Sequence, residues 1–135
     1  MNPVVHFEMP YQDADRVMEF YRTVFGWQLQ LLGQEMGGYV LATTAVEDTN
    51  SGSPKGAING GFFPTVHGAP PQYPSLTIGT ADIQESVQKI TRAGGRVLGE
   101  PALVPGIGLY VSFVDTEGNR NSVLQPMGDG PDSLR

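Results

Sequence analysis

The chain has 135 residues, with two histidines and no cysteine, so metal ligation and nucleophilic chemistry have few side chains to draw on. One of the histidines stands in the segment VVHFEMP, where His6 precedes Glu8 by two positions. Alternate residues of a strand share a face. Imidazole and carboxylate therefore project together, as half of a divalent-metal site or as a proton acceptor beside an anchor for a cationic ligand. A carboxylate on a sheet face has to be solvated, paired or bound to something. The plainer reading makes His6 a hydrogen-bonded core residue and Glu8 a hydrated group at an open mouth. His67 falls in PTVHGAPPQYP, a proline-rich linker away from any strand.

Other chemistries find no foothold. Without cysteine there is no disulfide framework, thiolate metal site or Cys nucleophile. No Ser-His-Asp order, phosphate-cradling glycine loop or nucleotide fingerprint is present, and the glycines of GGYV and AGGRV read as turn residues. The formal net charge is -6 with eight scattered Lys and Arg, and the pI is near 4.7. That pattern argues against nucleic acid or an anionic membrane as partners. The first residues lack the basic start and apolar core of a secretory signal, and no apolar run approaches the roughly 20 residues of a membrane span. A cytoplasmic protein is expected. The length suits one domain with its own core.

The elements that must position these residues read as a tandem repeat. Residues 3–9 alternate as a strand, with Val5, Phe7 and Met9 on one face and Val4, His6 and Glu8 on the other. DADRVMEFYRTVFGW follows as an amphipathic helix with an Asp13 cap and a Gly26 stop; Trp27 and the pair Phe20-Tyr21 are expected to pack it on a sheet. WQLQLL, a turn at Gly37-Gly38, YVLATTAV, the polar loop EDTNSGSPK and the glycine-rich strand GAINGGFF complete the first half. The second half repeats the order: YPSLTIGT, the helix DIQESVQKITRAGG with an Asp82–Glu85 capping pair, RVLG, IGLYVSFVD, a TEGN turn and SVLQP. A shift of 69 lays Asp82 on Asp13, Gly95 on Gly26 and Ser75 on His6.

The expected fold is therefore α+β: two βαβββ modules, about 3–64 and 73–126, with a mobile tail at 127–135. Neither module holds a full core alone. Their sheets are expected to join into a curled, half-open mixed barrel with a concave cavity. The stiff linker is compatible with pairing within one chain or exchange between two, and a homodimer is expected.

This arrangement resembles the vicinal oxygen chelate superfamily, which includes glyoxalase I, extradiol dioxygenases, and the bleomycin- and fosfomycin-resistance proteins. The resemblance rests on His6 followed by DADRVMEFYRTVFGW, on DIQESVQKITRAGGRV, and above all on SFVDTEGNRNSVLQP, and it covers about Val4 to Pro126. It implies a divalent metal held in the sheet's concavity by residues of the modules' first and last strands. Carried over by position, the first slot is His6. The second is Ser75, where His or Gln is usual, and the last-strand slot is Ser122, where Glu is usual. The remaining slot falls at about Asn59 or Gly60.

A first-row dication needs imidazole, carboxylate or thiolate groups to replace its water, and neutral hydroxyls do not suffice. No metal and no cofactor are expected. The expected ligand-binding set is His6, Glu8, Tyr39, Asn59, Ser75, Thr77, Tyr110 and Ser122, short polar groups and aromatics suited to orienting a polar organic molecule. Asn59-Gly60-Gly61 is expected to serve close packing of strands, the alternative being that its missing side chains widen the cup. The expected function is sequestration or carriage of a small molecule, an antibiotic or a metabolite. The alternative is a glyoxalase-like lyase, isomerase or dioxygenase that uses His6 or Glu8, with or without a non-standard metal. A third reading makes the protein a dimerising interaction module. Ligand identity is expected to lie in the loop at 46–56.

Overall fold

Asp13 and Asp82 start two helices in the same way. In the computed structural model, which describes residues 1–45 and 56–127, each has extended backbone and accepts a hydrogen bond from the amide three residues on. That bond satisfies an amide that the helix leaves without a partner. Helix α1 (Ala14–Phe25) closes on Gly26 in the left-handed region, at φ 72°. Helix α2 (Ile83–Arg92) is followed by Gly94 at φ 99°. Nearly all of the 46–56 loop lies outside the described residues, as does the tail from 128.

The fold is α+β, built of two compact units, His6–Pro74 and Ser75–Arg135 joined by Met1–Val5. Among the described residues, the first unit carries strand β1 from His6 onward (the strand spans Val4–Tyr11), then α1, β2 (Gln28–Leu31), a three-residue 3-10 turn at Gln34–Met36, β3 (Val40–Thr43) and β4 (Asn59–Pro64). Its strands lie in the order β2, β3, β4, β1, antiparallel except for the parallel pair β1 and β4. Val40, Ala42 and Phe62 form the buried centre. Ala14, Val17, Met18 and Tyr21 of α1 pack on it, with Phe7, Met9, Tyr11, Trp27 and Leu29.

Tyr21 stacks on Trp27 at 4.5 Å between ring centroids and lies 5.3 Å from Phe62. Those two aromatics hold helix to sheet as expected. Phe20 does not: it is 53% exposed and edges Tyr21 from the solvent side.

The second unit carries β5 (Ser75–Gly79), α2, β6 (Arg96–Val104), β7 (Gly108–Val114) and β8 (Arg120–Pro126), in the strand order β5, β8, β7, β6. Ile83, Val111, Phe113 and Val123 are buried, with Ile78, Val87, Ile90, Val97 and Leu109 around them. Gly79 donates its amide to the Pro3 carbonyl at 2.9 Å, which ties the Met1–Val5 segment to β5. β6 is longer than the expected RVLG. It runs through Pro101 because it is the outermost strand of its unit, where a missing amide costs no ladder bond. A register shift between Leu98 and Ala102, with Gly99 at φ 89°, absorbs the irregularity. Among the described residues, no helix is long and apolar enough to cross a membrane.

Candidate functional site

In each unit one sheet face is taken by its helix, and the opposite face carries the polar residues singled out from the sequence.

In the first unit, Phe7, Met9 and Tyr11 point to the helix, so His6 and Glu8 lie on the other face of β1. His6 Nε2 is 2.9 Å from the Tyr39 hydroxyl, with the two rings nearly parallel. Tyr39 stands just before β3, outside the strand expected to carry it, and its ring crosses β4 to reach β1. The crossing depends on Gly61: a Cβ there would clash with Cε2, Cζ and the hydroxyl of Tyr39. On the helix face, Phe7 fills the corresponding space at Gly60.

Both glycines thus serve close packing, as expected. The alternative, that they widen a cup, is corrected by the two rings that occupy their places. Gly60 is also removed as a ligand slot, because it belongs to the helix face. Burial pushes the His6 imidazole below its usual pKa, and the charge of Glu8 opposes that shift. Asn59, paired with His6 across β1 and β4, accepts from the amides of Thr44 and Ala45 through Oδ1, at 2.8 and 2.9 Å. Its side-chain oxygen therefore fastens the end of β3.

In the second unit, Thr77 and Ser122 are cross-strand partners on the face away from α2, each 3% exposed. Ser122 Oγ lies 2.6 Å from the Tyr110 hydroxyl and 3.2 Å from Ser112 Oγ. Ser75 begins β5, two residues before Thr77 and on the same face. Ser112 was absent from the expected set. The alternation of LYVSFV carries the signal, since Ser112 is two residues from Tyr110 and so shares its face.

Among the described residues, the donors that either unit offers at the implied slots do not fit the divalent metal of the family resemblance. His6 Nε2 is engaged by a phenol, Asn59 Oδ1 by two amides, and Ser122 Oγ by two hydroxyls. Ser75 contributes a neutral oxygen. Among the described residues, no three His, Cys, Asp or Glu side chains gather where they could hold an ion.

The model of the Glyoxalase/Bleomycin resistance protein/Dioxygenase superfamily matches residues 4–123, which among the described residues contain α1, α2 and the strands β1 to β8 but for the end of β8. The chain belongs to that superfamily. A glyoxylase-like domain-containing protein of Didymella fabae is 27% identical over 124 residues, covering 90% of this chain and 91% of that protein. Among solved structures, a hypothetical protein from Bacillus halodurans is similar with a TM-score of 0.69 at 14% identity, over 97% of this chain and 99% of the other. A point variant of Streptomyces coelicolor methylmalonyl-CoA epimerase, in complex with 2-nitronate-propionyl-CoA, gives 0.69 at 21% identity over 97% and 99%. The methylmalonyl-CoA epimerase of Mycobacterium tuberculosis gives 0.67 at 14% over 93% and 88%. At these identities the structures support the glyoxalase-superfamily fold and nothing narrower.

Proposed function

We propose that this glyoxalase-superfamily chain binds a small organic molecule without a divalent metal, for sequestration or carriage in the cytoplasm, as a homodimer. The observation that carries the reading is Ser122. The resemblance puts a carboxylate ligand at this position, and the chain puts a hydroxyl there that is nine-tenths buried and bonded to two further hydroxyls. Hydroxyls donate and accept with little cost in charge desolvation, which suits recognition of a polar organic group. They do not replace the water of a first-row dication.

The test has two arms on untreated protein. Metal content is measured first, then melting is followed with Ni, Co, Mn and Zn ions; no stoichiometric metal and no large shift are expected. Melting is next followed against aromatic, glycosylated and cationic natural products and CoA thioesters, where a ligand at 100 times its dissociation constant adds about 2.7 kcal/mol. Stoichiometric metal that disappears in a His6→Ala variant would overturn the reading. Sedimentation velocity checks the dimer.

A second reading, a lyase, isomerase or dioxygenase that uses His6 or Glu8 as base, is favoured by one observation: His6 and Glu8 lie on the same face of β1, away from the helix. Turnover of a CoA thioester or of an oxoaldehyde–thiol adduct, lost in both Glu8→Gln and His6→Gln, would select it.

A further inference from the structure

The register of the second unit puts two arginines in one row of the hydroxyl-bearing sheet face. Val114 pairs with Arg96 on β6 and with Arg120 on β8. Val97 and Val123 face the helix core, so Arg96 and Arg120, one and three residues away, lie on the opposite face. The Cα atoms of the two arginines are two interstrand steps apart, roughly 10 Å. Arginine side chains are long enough to close that span from either side of Val114. The next row along the same face holds Leu98, Ser112 and Ser122, with Thr77 beyond, and Ser75 lies two residues before Thr77. Among the described residues, neither Arg96 nor Arg120 takes part in an ion pair. The two acids nearest in sequence to Arg120 hydrogen-bond within their own turn: Glu117 accepts from Thr116, and Asp115 from the Glu117 and Asn119 amides and the Asn119 side chain. In a chain of net charge -6, an uncompensated pair of cations beside a hydroxyl row is an asymmetry that a bound anion would resolve.

We propose that Arg96 and Arg120 bind the anionic group, carboxylate or phosphate, of the small-molecule ligand, with Ser112 and Ser122 taking a neutral oxygen of the same molecule. This deepens the proposed binding function and rests on it. Guanidinium forks match the paired oxygens of both anions and are less strongly hydrated than ammonium. Two hydrogen bonds join the Tyr110, Ser122 and Ser112 hydroxyls, and a hydroxyl both donates and accepts, so the row can meet a neutral ligand oxygen of either character.

The test uses the full chain with inorganic phosphate, benzoate and benzyl alcohol as probes, and with Arg96→Gln, Arg120→Gln and the double variant. Arg16→Gln on α1 is the control. Phosphate or benzoate is expected to bind, with affinity reduced about tenfold or more in each single variant and unchanged in the control. The preferred probe tells which anion the pair selects. Arginine Nε–Hε resonances of the unmodified protein supply a readout independent of variant folding, since those of Arg96 and Arg120 are expected to move on titration. Anion binding equal in the double variant, or no anion binding at all, overturns the proposal. Binding of benzyl alcohol alone would do so while leaving the small-molecule function standing; metal uptake without any organic ligand would remove both.

Discussion

The Tyr39 hydroxyl and His6 Nε2 lie 2.9 Å apart across 33 residues of chain, and the glycine between them, Gly61, is what lets the tyrosine ring through. A methyl group at position 61 would have to displace that ring. Gly61→Ala is therefore expected to destabilise the protein by about 1–3 kcal/mol, the usual cost of overpacking. Most of that cost should vanish in a Tyr39→Ala background, where the ring is gone. Urea unfolding of the four proteins in the cycle measures it; an equal cost in both backgrounds would show that the ring is not what Gly61 accommodates.

His6 supplies a pH dependence of definite sign. Burial lowers its folded pKa below the ordinary value of 6.5, against a smaller opposing effect of Glu8. Between the folded and unfolded values, the unfolded chain binds more protons. The contribution is thus fully present above about pH 6.5 and is lost as pH falls from there through the folded pKa. His6→Gln should flatten that part of the stability profile. Glu8→Gln should move the His6 midpoint, followed by imidazole NMR, further down; an upward move would contradict the opposition between burial and charge.

Ser122 is expected to tolerate little. Ser122→Ala deletes the part-buried bonds to Tyr110 and Ser112 and should cost about 1–3 kcal/mol. Tyr110→Phe leaves the Ser112 bond in place and should cost less. Ser122→Glu, which restores the residue type that the resemblance implies, would place a carboxylate in a site 3% exposed and should be the worst of the three unless a divalent ion rescues it. Thermal melts with and without Mn or Ni ions separate these outcomes.

Asp115 holds the turn between β7 and β8. Its carboxyl, held below the usual value by hydrogen bonds from the Asn119 side chain and nearby amides, contributes stability above about pH 3.8 that is lost as pH falls through the lower folded value. Asp115→Ala should speed hydrogen exchange at the Glu117 and Asn119 amides while leaving the α2 amides unchanged.

Features governed by neighbours in sequence were legible without the structure. Asp13 and Asp82 announce helix starts because capping is settled within three residues, and the period-2 and period-3.6 patterns carry the repeat of the two modules. What depends on register was not. The Tyr39–His6 bond needs β3, β4 and β1 aligned so that Gly61 comes between the two rings, and no spacing along the chain expresses that. Gly60 and Gly61 look alike in sequence, yet they admit different rings from opposite faces. The extension of β6 beyond RVLG through Pro101 is a further case, acceptable because β6 lies outermost in its unit. Ser112 was within reach, two residues from Tyr110, but nothing in a lone serine marks it before Ser122 comes beside it.

The attachment of Met1–Val5 to β5, through the Pro3 carbonyl and the Gly79 amide, carries a practical lesson for dissecting the molecule. A recombinant piece beginning at Ser75 would lack this stretch and would leave the flank of β5 bare. Supplied as a free peptide, the opening pentapeptide should rejoin that piece noncovalently, a complementation that amide protection at Gly79 would report.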